Sequence, residues 1–328
     1  MAGDFTWRDG ERTIRFGAGV VAEAVETLGG EGYALLTTER AAAMAPAIVE
    51  AAAAVHMVGD GHVDELAGDL LGAVARERVV ALGGGRVIDT AKALAAASGG
   101  SQVAMAVPTT LSGAEMTRIH LRARGGDQRA PTVRPRVVVN DPALSASQPV
   151  AELAASALNA LGHAAEGPCT PLANPVGTLA AHDGARLLAG SLRAEPEREG
   201  LALGALLAGY VIDSTGYGLH HVLAQTVVRL AGAGHGPANA VLLPHSLGAL
   251  AWRFPERIDA LGTAMDGDPS EVAARICALS GATRLREIGV DRDALAECAE
   301  AAAERPELDL TPPRADRAEL MALYEGAW

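Results

Sequence analysis

Cysteine, aromatic residues and lysine are all scarce in this chain. Its 328 residues include three cysteines, 3% aromatic residues and, among 27 basic residues, a single lysine, Lys92. The three cysteines show no C-x-x-C spacing, which argues against a disulfide framework and against a thiolate metal site. No apolar run approaches the ~18 to 20 residues that a membrane span requires.

Positive charge is also scarce relative to negative charge. The formal net charge is −13 and no cluster of basic residues stands out. Binding to nucleic acid needs a basic face, and stacking of bases needs aromatic side chains, so we expect no nucleic-acid partner. The N-terminal stretch is charged throughout and lacks the apolar core of a signal peptide. Together with the few cysteines, this stretch predicts a cytoplasmic protein without a membrane partner.

The first half of the chain alternates short apolar segments with alanine-rich ones. Strand-like segments lie at residues 13–16, 33–38, 79–82 and 103–107. Such alternation is typical of βαβ units and a parallel sheet. From residue 149 onward, nearly continuous alanine- and leucine-rich helix replaces it. We therefore predict a Rossmann-like α/β domain over residues 1–148 and an all-helical domain over residues 149–328.

An arginine- and glycine-rich segment covers residues 118–139, near the end of the first predicted domain. It contains β-branched patches at residues 132–136 and 137–139. This pattern predicts an irregular hairpin outside the main run of alternating strands and helices.

Three consecutive glycines, Gly83, Gly84 and Gly85, follow the strand at residues 79–82 and precede a helical segment. A glycine turn at a helix start exposes backbone N–H groups that can receive a phosphate. Asp89 and Lys92 lie on that helical segment. A single lysine in an arginine-biased chain predicts a specific contact to a phosphate, and the alternative is a surface lysine without such a role.

Hydroxyl side chains follow two other predicted strands. Thr109, Thr110 and Ser112 come after the strand at residues 103–107, and ligands of open α/β sheets bind beyond the carboxyl ends of strands. These hydroxyls are candidates to contact a phosphate or a ribose, although an ordinary helix cap is the alternative. Thr37 and Thr38 end the strand where dinucleotide folds often keep an acidic residue, so either NADH or NADPH is compatible with them.

Four polar residues interrupt the apolar helices of the second half. Asn159 and His163 are four residues apart and share a helix face, while His221 and His235 are fourteen residues apart. Three imidazoles suit a divalent metal, but an amide supplies no anionic ligand. A pocket that donates hydrogen bonds to an anionic substrate suits this set better. Taken singly, each histidine is more often a structural residue, and the additional candidates are His182, His220 and His245.

Several segments resemble the iron-containing alcohol dehydrogenase and dehydroquinate synthase-like superfamily. Residues 83–92, GGGRVIDTAK, resemble its GGGSxxDxAK element, and residues 107–117, VPTTLSGAEMT, resemble the VPTTYAGSEMT of the maleylacetate reductase branch. Because these motifs occur in a fixed order along nearly the whole chain, the resemblance is specific. Shorter likenesses are NDP at residues 140–142, NALGHAAE at 159–166, GLHH at 218–221, LPH at 243–245 and EGAW at 325–328.

The resemblance implies a dinucleotide-binding domain, a helical domain, a cleft between them and a homodimer. It also implies hydride transfer from NADH or NADPH to the double bond of 2-maleylacetate, a small anionic substrate, giving 3-oxoadipate. The superfamily binds metal through an Asp and a His four apart and two further His fourteen apart. Here Asn159 replaces that Asp, as in the metal-free maleylacetate reductases, so we expect no metal and a catalytic set of Asn159, His163, His221 and His235.

The chain departs from the superfamily pattern at several positions. Arg86 replaces a serine in the glycine turn, where it can bind a phosphate or obstruct the dinucleotide, and Gln225 replaces a common histidine. Two alternatives therefore stay open. One is a metal-dependent alcohol dehydrogenase in which Asn159 still ligates, and the other is a diverged, non-redox member of a biosynthetic pathway.

Overall fold

The computed structural model describes residues 3–193 and 195–328. The chain divides into two compact units, the first ending at Ser147 and the second running from Gln148 to Trp328. This division lies one residue before the boundary that the sequence predicts. It follows the change in local structure, because the last strand ends at Asn140 and long helices begin at Val150.

A seven-stranded sheet forms the centre of the first unit. The strand order is β1-β2-β7-β6-β5-β3-β4, and every neighbouring pair is parallel except the antiparallel pair β1 and β2. The predicted parallel α/β fold is confirmed, with one antiparallel strand added at an edge. The strands are β1 (Phe5–Asp9), β2 (Arg12–Phe16), β3 (Ala34–Thr37), β4 (Ala54–Met57), β5 (Arg78–Gly83), β6 (Val103–Pro108) and β7 (Val137–Asn140).

Helices cover both faces of this sheet. Successive residues of a strand point to opposite faces, so Leu35 and Val80 belong to one apolar cluster while Leu36 and Ala81 belong to another. Burial on both faces explains why the strands are continuously apolar rather than alternating. The helices are α1 (Ala24–Thr27), α2 (Glu39–Met44), α3 (Pro46–Glu50), α4 (Val63–Leu70) and α5 (Gly85–Ala97), with 3₁₀ turns at Val20–Glu23 and Pro142–Ser145.

The hairpin predicted within residues 118–139 is wrong. Residues 118–136 form no strand, and the following β7 pairs in parallel with β2 and β6 inside the sheet. Two glycines and two prolines interrupt residues 118–136, and proline cannot donate to a strand ladder. Only the uninterrupted valine run at the end of this segment can take a buried central position.

The second unit is helical throughout its described residues. Its longest element, α10, has 19 residues, and none of the described helices combines the length and the apolar character needed to cross a membrane. The helices are α6 (Val150–Glu166), α7 (Pro175–Ser191), α8 (Arg198–Thr215), α9 (Leu219–Ala231), α10 (His235–Arg253), α11 (Pro255–Met265), α12 (Pro269–Leu279), α13 (Ala294–Ala303) and α14 (Arg317–Ala327). Short 3₁₀ turns lie at Gly167–Cys169, Leu285–Ile288 and Pro306–Leu310.

Candidate active site

The glycine turn of the first unit joins β5 to α5. Gly83 ends the strand, Gly84 precedes the helix and Gly85 begins it. Gly83 is the register partner of Pro108 on β6, and the amide of Thr109 donates to the Gly83 carbonyl at 3.0 Å. Neighbouring strand ends therefore place the glycine turn beside the hydroxyl-rich loop, as the sequence predicts.

Glycine is required in this turn because other side chains fill the space of a Cβ atom. A Cβ on Gly84 would lie 3.0 Å from Cγ2 of Thr110, and one on Gly85 would lie 2.9 Å from Cβ of Ser112. The bare turn leaves the first N–H groups of α5 uncovered by side chains of their own. Backbone amides at a helix start are the expected receptor for a phosphate.

Lys92 is fully buried and its ammonium faces the chain's own backbone. The Nζ atom lies 3.0 Å from the carbonyl oxygens of Ala114, Thr117 and Ile119, and it forms an ion pair with Asp89 at 2.7 Å. The alternative of a surface lysine is therefore wrong. The structure gives Lys92 a bracing role in the loop after β6, while direct contacts of Lys92 and Asp89 with a cofactor stay predictions.

A second buried cation braces the same loop. Arg12 is 1% exposed, and its guanidinium donates to the carbonyl oxygens of Glu115 at 2.9 Å and Met116 at 3.2 Å. Burial raises the pKa of the Glu115 carboxyl to about 7. No local sequence signal marks this contact, because Arg12 lies more than a hundred residues away from the loop.

The remaining cofactor candidates occupy different local positions. Thr109 is buried, and its Oγ1 has no hydrogen-bond partner among the described residues. Thr37 is buried at the end of β3, and the side chain of Thr38 caps α2. The Arg86 guanidinium pairs with Asp60 at 2.7 Å. Cofactor contacts by Thr37, Thr38 and the other hydroxyls stay predictions.

The second unit brings the predicted amide and imidazoles together. His163 on α6 and His221 on α9 stack with ring centroids 4.7 Å apart. His235 starts α10, and its Nε2 lies 3.2 Å from Oδ1 of Asn159. His220 meets the ring of His221 edge-on at 4.9 Å. A polar cluster inside apolar helices results, although the catalytic roles of its members stay predictions.

Glu166 holds the start of α9 against α6. Its carboxylate is fully buried and accepts the backbone N–H groups of Gly218 at 3.2 Å, His220 at 2.6 Å and His221 at 3.3 Å. The same carboxylate contacts Nδ1 of His221 at 2.5 Å. The sequence motifs assign no role to Glu166. Its position three residues after His163 nevertheless predicts that the two side chains lie on the same face of one helix.

Burial keeps the inner imidazoles of this cluster uncharged. It lowers the pKa values of His220 and His221 to about 3, and it lowers the pKa of His163 well below its usual value, with neighbouring imidazoles adding to that shift. Three ring nitrogens have no hydrogen-bond partner among the described residues: Nδ1 of His163, Nε2 of His220 and Nε2 of His221. The cluster therefore contains buried, neutral ring nitrogens whose hydrogen-bonding capacity is not used by the described residues.

A hydrogen-bonded group surrounds the position of the family's missing histidine. Gln225 lies one helical turn after His221, and its Oε1 accepts from Nη2 of Arg305 at 3.0 Å. Arg305 also pairs with Glu307 at 2.8 Å. The hydroxyl of Tyr217 donates to the Glu307 carboxylate at 3.2 Å, while the Tyr217 ring lies 5.8 Å from that of His221. Gln225 thus anchors a guanidinium rather than extending the imidazole cluster.

Comparison with known proteins identifies the family of this chain. Residues 153–328 match the Fe-containing alcohol dehydrogenase family, C-terminal. The chain belongs to the Fe-containing alcohol dehydrogenase family. A maleylacetate reductase from Sphingobium indicum is 33% identical over 89% of each chain, and maleylacetate reductase 1 from Rhodococcus opacus is 35% identical over 76% of this chain and 72% of its own length.

Solved structures agree with this assignment. The crystal structure of a maleylacetate reductase from Agrobacterium tumefaciens is similar with a TM-score of 0.84 at 28% identity, covering 100% of this chain and 99% of that one. The resemblance that the motifs indicate is therefore confirmed. The protein is an oxidoreductase of the Fe-containing alcohol dehydrogenase family and is similar to maleylacetate reductases.

The family name implies iron, but the donor set of this chain does not fit a resident iron ion. The Asn159 amide supplies no charge, and the Glu166 carboxylate is occupied by three amides and an imidazole. Across residues 3–193 and 195–328, no group of three or more His, Cys, Asp or Glu side chains is placed to hold a metal ion. Imidazoles without an anionic ligand make a poorer divalent site.

Proposed function

We propose that the protein is a metal-independent reductase that transfers hydride from NADH or NADPH to the carbon–carbon double bond of a small, unsaturated keto acid. The proposed substrate is the anion 2-maleylacetate and the product is 3-oxoadipate. The observation that carries this proposal is the cluster of uncharged imidazoles around Asn159, His163 and His221. The likeness to maleylacetate reductases supports the choice of substrate.

The first unit supports binding of the dinucleotide. Gly84 and Gly85 lack side chains, so the first N–H groups of α5 are not covered by side chains of their own, and Oγ1 of the buried Thr109 has no hydrogen-bond partner among the described residues. These residues fit the pyrophosphate and the adjoining ribose. When bound, the reduced nicotinamide supplies the hydride.

The chemistry requires donors rather than a Lewis acid. Hydride adds to the alkene carbon β to the ketone, and the electron pair of the double bond moves onto the ketone oxygen as an enolate. A proton then adds to the α carbon and restores the ketone. Imidazole N–H groups can stabilise the negative oxygen by hydrogen bonds, and water can supply the proton to the α carbon. Because these imidazoles are neutral, they retain an N–H at neutral pH.

The test is reduction of 2-maleylacetate by the full-length protein after dialysis against a chelator. We expect binding of NADH or NADPH in a calorimetric titration and substrate-dependent loss of the nicotinamide absorbance. The variant His163→Gln, which removes one imidazole, should lower kcat by about 100-fold. Unchanged dinucleotide binding by this variant is the control for folding.

Each alternative predicts a different result in the same experiment. Activity that disappears on chelation and returns with Zn²⁺ or Fe²⁺ supports the metal-dependent alcohol dehydrogenase. A chain that binds neither dinucleotide supports the non-redox reading. Dinucleotide binding without turnover of 2-maleylacetate overturns the proposed substrate.

A further inference from the structure

One buried carboxylate touches both a helix start and a ring of the imidazole cluster. Glu166 is 0% exposed, and its Oε1 accepts N–H groups of Gly218 and His220. Its Oε2 accepts the N–H of His221 and meets Nδ1 of the same residue at 2.5 Å. Both oxygens are therefore occupied by partners on α9.

Burial raises the pKa of the Glu166 carboxyl, but the hydrogen-bond geometry, in which both oxygens accept N–H groups, favours the ionised form. Three backbone N–H groups donate to it, and the N-terminus of α9 carries the positive end of the helix dipole. An ionised carboxylate has no proton to give. The hydrogen of its contact with His221 must then reside on Nδ1, which leaves Nε2 of that ring without a proton.

The neighbouring imidazole is not constrained in this way. Nδ1 of His163 has no hydrogen-bond partner among the described residues, so no described contact to this nitrogen selects a tautomer. The rings of His163 and His221 are stacked with an interplanar angle of 23°. Stacked rings cannot donate N–H hydrogen bonds to each other, so this contact does not set the tautomer of either ring.

We infer that Glu166 is a positioning residue that fixes His221 as the Nδ1–H tautomer. His221 then accepts a hydrogen bond through Nε2, and His163 is the imidazole that donates to the developing enolate oxygen. The role of His163 as the donor to an enolate oxygen rests on the proposed function. The tautomer itself is a property of the unliganded protein.

The variant Glu166→Gln tests this assignment with nearly unchanged side-chain size. Its amide oxygen can keep the N–H groups of Gly218 and His220, while its NH₂ group replaces the oxygen that faces His221. This orientation loses one backbone donor, the N–H of His221, whereas the flipped amide loses two. An NH₂ group donates, so Nδ1 must become the acceptor and the hydrogen must move to Nε2. We expect the protein labelled with ¹⁵N-histidine to show His221 as Nδ1–H in the wild type and as Nε2–H in the variant.

Two further variants make the spectrum decisive. His221→Gln assigns the resonances by removing them, and Ser246→Ala, which removes the 2.9 Å contact to Nδ1 of His220, should leave the His221 tautomer unchanged. A wild-type His221 protonated on Nε2 overturns the inference, even if Glu166→Gln does not fold. A Glu166→Gln protein that folds and keeps the Nδ1–H tautomer overturns it as well.

Kinetics supply the second measurement. We expect Glu166→Gln to lower kcat for 2-maleylacetate by about 100-fold while the KM for the dinucleotide changes less than about twofold. An unchanged kcat beside a switched tautomer contradicts the assigned donor and acceptor roles. If the wild type does not reduce 2-maleylacetate, the proposed function fails, whereas the tautomer result stands independently.

Discussion

The two polar regions of the molecule use buried charge in different ways. In the first unit, Lys92 and Arg12 direct their donors at backbone carbonyls, so these cations shape a loop. In the second unit, the carboxylate of Glu166 holds a helix start, while His163 and His221 each keep one ring nitrogen without a partner among the described residues. A buried charged residue can therefore stabilise the backbone of a loop in one region and position candidate reactive side chains in the other.

The largest expected difference between the regions is their response to acid. Burial lowers the pKa values of His220 and His221 to about 3, so the unfolded chain takes up protons first as the pH falls below 6.5. Between pH 6.5 and the pKa in the folded state, each such imidazole lowers the free energy of unfolding of the second unit by ~1.4 kcal/mol per pH unit. In the first unit, burial lowers the pKa of His120 to about 4, but the raised pKa of Glu115, about 7, acts in the opposite direction.

Hydrogen exchange followed from pH 7 to pH 4 measures this difference. After correction for intrinsic rates, amides of α6 and α9 should lose protection at a higher pH than those of β5 and α5. Burial raises the pKa of Glu166, which acts in the opposite direction, while the pKa of His163 is lowered like those of His220 and His221. Simultaneous loss of protection in both units would contradict the comparison.

Removal of the Lys92 ammonium should have the next largest effect. Lys92→Met leaves the Asp89 carboxylate and three carbonyls without their cation, and we expect the free energy of unfolding to fall by about 3 to 5 kcal/mol. Urea unfolding of the full chain without cofactor measures it. The exposed pair of Arg124 and Glu65 is the control, since Arg124→Gln should cost less than ~1 kcal/mol. Unchanged stability with weaker dinucleotide binding would instead make Lys92 a cofactor ligand.

The smallest of the three effects concerns the bare glycine turn. Gly85→Ala places a Cβ 2.9 Å from that of Ser112, so we expect a loss of about 1 to 3 kcal/mol in stability and weaker dinucleotide binding. Adding Ser112→Gly removes the collision and should restore part of both. A double-mutant cycle with calorimetric titration measures the coupling. Strictly additive effects would show that the two loops do not press against each other.

Much of the fold could be predicted from the local periodicity of apolar residues in the sequence. Helix α6 begins at Val150, directly after residue 149, where the sequence predicts the change to helix, and the spacing of Asn159 and His163 places them on one face. The structure of residues 118–136 could not be predicted in this way, because glycine and proline interrupt the β-branched residues there. Its course depends on distant contacts, such as the 3.0 Å hydrogen bond from Arg12 to the carbonyl of Pro135.

The sequence by itself determined the α/β class, the helical second half and the family, because periodicity and motifs can be recognised along the chain. It singled out Lys92, Asn159 and the histidines, but not Arg12 or Glu166. Only the tertiary structure decided what those residues do. Lys92 stabilises the loop after β6 because carbonyl groups 22 to 27 residues away converge on its ammonium. Glu166 accepts hydrogen bonds from the start of a helix that lies 52 to 55 residues later in the chain. Burial, which sets the charge of the imidazoles, likewise arises only when distant elements pack together.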